Sequence, residues 1–180
     1  MGKQRRPISR CWGIGLGRTG TTTLCEAFRI LGYTNVVHNP PFEALATMDA
    51  GADNGVVIFY KYLDYKFPGS KFVLTVRDLE SWLDSVKYIS EKAPILSLDE
   101  DIPIMRRMMI YETVVFQREM FIAAAERHHQ DIKRYFSTRP DDLLEMNIIA
   151  GEGWDKLCPF LGVPPPSVPF PHLHRRSAGS

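Results

Sequence analysis

Apolar positions fall along this chain in two rhythms. A short apolar run at Cys11 to Leu16 and the β-branched, largely apolar stretch Lys71 to Val76 (KFVLTV) predict buried strands. Thr34 to His38 (TNVVH) and Leu143 to Asn147 (LLEMN) predict two shorter ones. Between the runs the spacing becomes helical. Leu24, Ala27, Phe28 and Leu31 form one stripe, Val56, Tyr60, Leu63 and Phe67 a second, and Trp82, Val86 and Ile89 a third. Phe42 to Ala50 predicts a helix with an uneven apolar face. Ile104 to Phe136 predicts one long helix carrying Met105, Met108, Met109, Phe116, Met120 and Phe121, a stripe that reads first as core. Trp154 to Leu161 predicts a short helix closed by Gly162 and a proline run.

The punctuation between these elements is consistent with that reading. Gly32 sits where a helix C-terminus takes positive φ, and Asn39-Pro40-Pro41 stops the second strand. Ala50 to Gly55 reads as a break whose Asp53 caps the next helix, which Pro68-Gly69 ends. Pro94 to Pro103 is irregular and acidic, a connector or a mobile lid. Strands alternating with helices predict an α/β three-layer sandwich with a parallel sheet of four to five strands. Its 180 residues suit one domain, with 1–9 and 173–180 as flexible tails.

Charge and composition narrow the function classes. A net charge of +1 argues against nucleic acid or an anionic membrane as partner. The basic N-terminus lacks a following apolar region, and no stretch approaches a membrane span, so the expectation is a soluble cytoplasmic protein. The three scattered cysteines, Cys11, Cys25 and Cys158, predict free thiols and no zinc site. His128 and His129, adjacent on a helix, do not face one metal. Nothing in the sequence sets an oligomeric state.

The chemistry concentrates at Cys11 to Tyr33, read as strand, glycine-rich loop and helix. Gly15, Gly17 and Gly20 let the backbone N–H groups curl inward at a helix N-terminus, a hollow suited to an anion. Hydroxyls of Thr19, Thr21, Thr22 and Thr23 and the guanidinium of Arg18 add donors. The plainer reading is a glycine turn joining a core strand to a core helix. Gly15 to Gly20 has Walker A spacing, but Thr21 stands in the lysine position, which disfavours a triphosphate with magnesium. His38 ends a strand at the edge where parallel sheets gather ligands, a position for a general base; the alternative is a turn-capping histidine. Asp53 is the second candidate base. Arg77 follows a buried strand and needs an anionic partner, either a nearby carboxylate or a ligand. On the residues alone Ser85 is an ordinary helix serine, with Ser81 an alternative donor.

GLGRTGTTTL resembles the 5′-phosphosulfate loop of sulfotransferases that use 3′-phosphoadenosine 5′-phosphosulfate (PAPS), through Arg18-Thr19-Gly20-Thr21-Thr22. FPGSKFVLTVRDLESWLDSV resembles their 3′-phosphate site, an arginine ending a strand and a serine eight residues on, here Arg77 and Ser85. GEGWDKLCPFLGVPPPSVPFPHLH is similar to the C-terminal segment of the short soluble subfamily of P-loop sulfotransferases. The resemblance implies co-substrate binding by Gly17, Arg18, Thr19, Gly20, Thr21, Thr22, Thr23, Arg77 and Ser85. It implies a charge-stabilising role for Arg18 beside the candidate bases His38 and Asp53, no metal, and in-line sulfuryl transfer from PAPS to a hydroxyl or amine of a small molecule. The methionine stripe allows that acceptor to be apolar. Arg175 and Arg176 stand in for a basic C-terminal loop, without its glycine. The alternatives are a small-molecule or nucleotide kinase with a modified loop, and a non-catalytic nucleotide-binding module.

Overall fold

The computed structural model describes residues 9–93 and 101–172. Strands β1 (Cys11–Gly13), β2 (Val36–His38), β3 (Ala50–Ala52), β4 (Lys71–Thr75) and β5 (Leu143–Met146) make one five-stranded sheet in the order β2-β3-β1-β4-β5. Every pairing is parallel, with Trp12 opposite Gly51 on one side and Phe72 on the other. The helices are α1 (Thr21–Ile30), α2 (Asn54–Val57), α3 (Tyr60–Lys66), α4 (Leu79–Lys92), α5 (Asp101–Tyr111), α6 (Arg118–Tyr135) and α7 (Trp154–Leu161).

Alternation along the buried strands sorts the core into two faces. Cys11, Val73 and Met146 pack with Leu24 and Phe28 of α1 and Leu157 of α7. Trp12, Phe72 and Leu74 point the other way, onto Leu63 of α3, Ile132 of α6 and Phe136. A third cluster closes the carboxyl ends of the strands: Leu16, Trp82, Val86, Ile110, Tyr111 and Phe121 join α4, α5 and α6. From β1 the chain fills β2 and β3 on one side, then crosses to β4 and β5 on the other. The switch in strand order therefore falls at the carboxyl end of β1, where crevices open in such sheets.

The four sequence-predicted strands and the short helix over 154–161 form where expected, and Gly32 takes φ +94°. Other expectations fail. The break at Ala50 to Gly55 contains a strand, β3, made of Ala50, Gly51 and Ala52. Small residues are required there, because a Cβ on Gly51 would lie 2.2 Å from Met48 Cε and 2.7 Å from the Val37 carbonyl. A strand built for close approach carries no β-branched signal. The helix expected over Phe42 to Ala50 is consequently only a five-residue 3-10 turn, Phe42–Ala46, since the chain must straighten into β3. The helix expected after Asp53 splits into α2 and α3 at Ile58 and Phe59.

The long helix expected over Ile104 to Phe136 is two. Glu112 turns to φ +59°, and the β-branched run Thr113-Val114-Val115 resists helix before α6 begins at Arg118. Methionines 105, 108 and 109 face outward, 45–56% exposed, while Phe121 of α6 is fully buried; the stripe that read as core is half surface. Residues 101–103 of the supposed connector form the first turn of α5. Residues 94–100 of the connector-or-lid segment, and Arg175 and Arg176, lie outside the described residues.

The proline-rich end runs extended over α7, with Phe170 against Trp154 at 4.7 Å and the Trp154 indole N–H donating to the Val168 carbonyl at 2.9 Å. All three cysteines are buried and unpaired, and burial pushes the Cys25 thiol up to about 12. Among the described residues no helix is long and apolar enough to cross a membrane.

Candidate active site

The loop between β1 and α1 is clamped from several elements at once. The His128 ring of α6 donates from Nε2–H to the Ile14 carbonyl at 2.7 Å. A Cβ on Gly15 would stand 2.0 Å from Thr75 Oγ1, so only glycine lets the backbone lie against the end of β4. Thr19 donates to the Leu16 carbonyl at 2.7 Å and shares a 2.6 Å hydrogen bond with Thr75. From α4 the Trp82 indole donates to the Gly17 carbonyl at 2.9 Å, and Arg77 Nη1 donates to the Arg18 carbonyl at 3.1 Å. Arg18 and Gly20 turn through φ +75° and +105°, which delivers the chain into α1. The start of α1 has no side-chain cap and no acidic residue in its first turn. Its Thr21, Thr22 and Thr23 instead line a cavity of about 280 Å³, together with Gly17, Arg18, Gly20, His38, Asp53 and Arg77.

A second group of residues meets the same cavity because β2 and β3 are neighbours. His38 pairs in register with Ala52, so the residue after β3, Asp53, emerges beside it. Asp53 Oδ2 lies 3.2 Å from His38 Nε2 and accepts from the Thr21 hydroxyl at 2.6 Å, while Oδ1 accepts the Asn54 N–H at 2.8 Å. His38 Nε2 also lies 3.2 Å from the hydroxyls of both Thr21 and Thr22. Burial alone would push the Asp53 carboxyl up; His38, the Thr21 hydroxyl and the Asn54 N–H outweigh it and hold the carboxyl below its ordinary value. Asp53 is therefore ionised, and the imidazole atom facing it carries a proton. Asp53 also sits at φ +83°, ψ −173°, a region that disfavours any side chain.

The loop carrying His38 is held from α5. Asn39 takes φ +49°, and its Oδ1 accepts from Gly55 N at 3.0 Å and from Arg106 Nη1 at 2.8 Å. Arg106 Nη2 donates to the Pro40 carbonyl at 2.6 Å.

The sequence-predicted residues fall into place unevenly. Gly17, Arg18, Gly20, Thr21, Thr22, Thr23, His38, Asp53 and Arg77 all border one cavity. The Thr19 hydroxyl is turned inward, onto Leu16 and Thr75. Ser85 is buried on α4 and accepts from Arg18 Nε at 3.1 Å, whereas the side chain beside Arg77 is Ser81, which accepts from Arg77 Nε at 2.9 Å. Two basic side chains are thus braced on one helix by two serines one turn apart. Sequence reasoning missed Trp82 and His128 as clamps of the loop, and Asn54, Arg106, Arg107 and Tyr111 as lining. A contact between residues 114 apart leaves no local signal. The adjacent arginines of α5, Arg106 and Arg107, stand in no motif that marks them.

A family model described as a sulfotransferase domain matches the chain over residues 10–42 and 41–178. The matched stretches carry the loop, His38, Asp53, Arg77 and Ser85. "Ava biosynthesis cluster protein M" of Aspergillus versicolor is 25% identical over 213 aligned positions, which take in 89% of this chain and 78% of that protein.

Proposed function

The chain belongs to the sulfotransferase-domain family, and from that premise we propose that it moves a sulfuryl group from PAPS to a hydroxyl or amine of a small-molecule acceptor. The observation that carries this reading is the uncapped, acid-free start of α1, open to a cavity that Arg18 and Arg77 also line. A helix start of that kind, flanked by two guanidinium groups, fits the phosphates of such a co-substrate. When bound, PAPS supplies a sulfuryl group activated as a mixed anhydride with phosphate.

The residues divide the work by position. The first N–H groups of α1 and Arg18 offset negative charge as it grows on the departing 5′-phosphate oxygen. Ser85 holds the Arg18 guanidinium in place from behind. Arg77, steadied by Ser81, serves the second phosphate, and its tie to the Arg18 carbonyl links the two halves of the site. Because His38 Nε2–H points at ionised Asp53, Nδ1 is the basic atom of the ring. As the acceptor oxygen bonds to sulfur and the sulfur–oxygen bond to phosphate breaks, the acceptor proton passes to His38 Nδ1. Asp53 stays ionised and offsets the imidazolium charge, as the carboxylate does in other base–orienter pairs. Arginine and backbone donors take the charge-offsetting role that a metal fills in phosphoryl transfer.

The test is turnover. Metal-free protein is incubated with PAPS and a panel of phenols, alcohols and amines, and release of adenosine 3′,5′-bisphosphate is followed. We expect acceptor-dependent release that survives a chelator and falls by about a hundredfold or more in Arg18→Ala. Phosphoryl transfer from ATP with magnesium, and none from PAPS, would select a kinase instead.

A further inference from the structure

The cavity has a second basic wall that the proposed transfer does not use. Arg106 and Arg107 of α5 both line it, yet they are satisfied differently. Arg106 donates to the Asn39 and Pro40 carbonyls and to the Asn39 side chain, so its guanidinium is occupied in holding the loop after β2. Arg107 is half-buried and spends Nη2 on the Ser90 hydroxyl at 2.5 Å. Its Nε is fully buried and has no hydrogen-bond partner. Among the described residues no carboxylate pairs with it. Its guanidinium carbon lies 5.4 Å from the centre of the Phe121 ring.

A guanidinium taken partly out of water, whose neighbours among the described residues are a neutral hydroxyl and an aromatic ring, is an incomplete ion pair. The cavity also carries apolar and aromatic lining. Tyr111 is 4% exposed and stacks on Phe121 at 4.3 Å with the rings 9° from parallel, and Val86 and Ile89 border the same space. Tyr111 and Phe121 line the same cavity as Asp53 and Arg107. The cavity therefore holds a general-base dyad, a stacked aromatic pair, and a guanidinium that no carboxylate among the described residues matches.

We propose, resting on the sulfuryl-transfer reading, that the acceptor is a small aromatic molecule bearing an anionic group, carboxylate or phosphate, which Arg107 receives while the hydroxyl to be sulfated lies at His38. The anion completes the Arg107 ion pair, and its body replaces water over Tyr111. Arg107 is on this account the residue that selects the acceptor. Arg106 positions the loop and does not select.

The test measures binding, so it stands apart from turnover. Protein saturated with adenosine 3′,5′-bisphosphate is titrated calorimetrically with four phenols: para-cresol, tyramine, para-hydroxyphenylpropanoate and para-hydroxybenzylphosphonate. We expect one or both anionic phenols to bind about tenfold or more tighter than para-cresol, and tyramine weakest. The tighter of the two anions identifies the group. Arg107→Gln should remove the preference, Arg107→Lys should keep most of it, and both should bind the bisphosphate as wild type does. Equal binding of anionic and neutral phenols, no binding of either anion, or a preference that survives Arg107→Gln overturns the proposal. So does a bisphosphate affinity that falls about tenfold in Arg107→Gln, since that assigns the arginine to the co-substrate. Failure of the bisphosphate to bind wild type, with the anion preference intact, overturns the transfer reading and leaves the anion site.

Discussion

Asp53 concentrates the argument at the scale of single residues. Its backbone angles belong to a region nearly reserved for glycine, and strain of this kind amounts to about 1–3 kcal/mol. It persists because the carboxylate accepts from Thr21, His38 and Asn54 at once. Two substitutions separate strain from chemistry. Asp53→Gly relieves the backbone and should be about 1 kcal/mol more stable than Asp53→Ala in denaturant melts, although both lose the carboxylate. Asp53→Asn should lower the transfer rate by about a hundredfold while leaving bisphosphate affinity near wild type, since it removes the group that orients His38.

His128 gives a pH dependence at the same scale. Burial, aided by the neighbouring His129 and Arg127, holds its pKa below the ordinary 6.5, against the opposing effects of the Ile14 carbonyl and Asp131. A histidine with a depressed folded pKa binds fewer protons folded than unfolded between those two values, so stability rises with pH across that window. The contribution is fully present above about 6.5 and is lost as pH falls toward the folded value. Denaturant melts at pH 7.5 and 5.5 should show a smaller acid-side loss in His128→Gln, which can still donate to the Ile14 carbonyl, than in wild type. Equal losses would remove His128 from the account.

At the scale of elements, the loop between β1 and α1 owes its shape to partners on β4, α4 and α6 more than to its own glycines. Trp82→Phe keeps the ring in the α4–α6 cluster and removes one indole N–H from the Gly17 carbonyl. It should reduce stability by about 1 kcal/mol and weaken bisphosphate binding several-fold, read by melts and by calorimetry. Wild-type affinity in that variant would mean that the loop holds its shape without α4.

This scale also shows what a sequence displays and what it hides. β4 was legible because β-branched residues line a strand buried on both faces. β3 was not, because close packing against Met48 and Val37 demanded Ala-Gly-Ala, which reads as a turn. The loop, His38 and Arg77 were visible because their chemistry is written in contiguous motifs. The tie of His38 and Asp53 to Thr21 depends on which strands pair, and the role of Arg107 on how α5 folds back after Glu112. Neither pairing nor fold-back is encoded locally.

At the scale of the whole molecule, the sheet order explains why so many site residues converge. β1 is central, and the chain departs from it to both sides, so the loop after β1 meets His38 and Asp53 from one half and Arg77 from the other. Helices α4 and α5 also line this site, α4 with Val86 and Ile89 and α5 with Arg106 and Arg107. The central claim is that this convergence is a site for a nucleotide bearing two separate phosphates. Its most direct test is calorimetric titration of metal-free protein with adenosine 3′,5′-bisphosphate, beside ATP with magnesium, on wild type and Arg77→Ala. Binding without metal is expected, weakened by about 2 kcal/mol or more in Arg77→Ala. Binding of ATP with magnesium alone, or a bisphosphate affinity indifferent to Arg77, would contradict it.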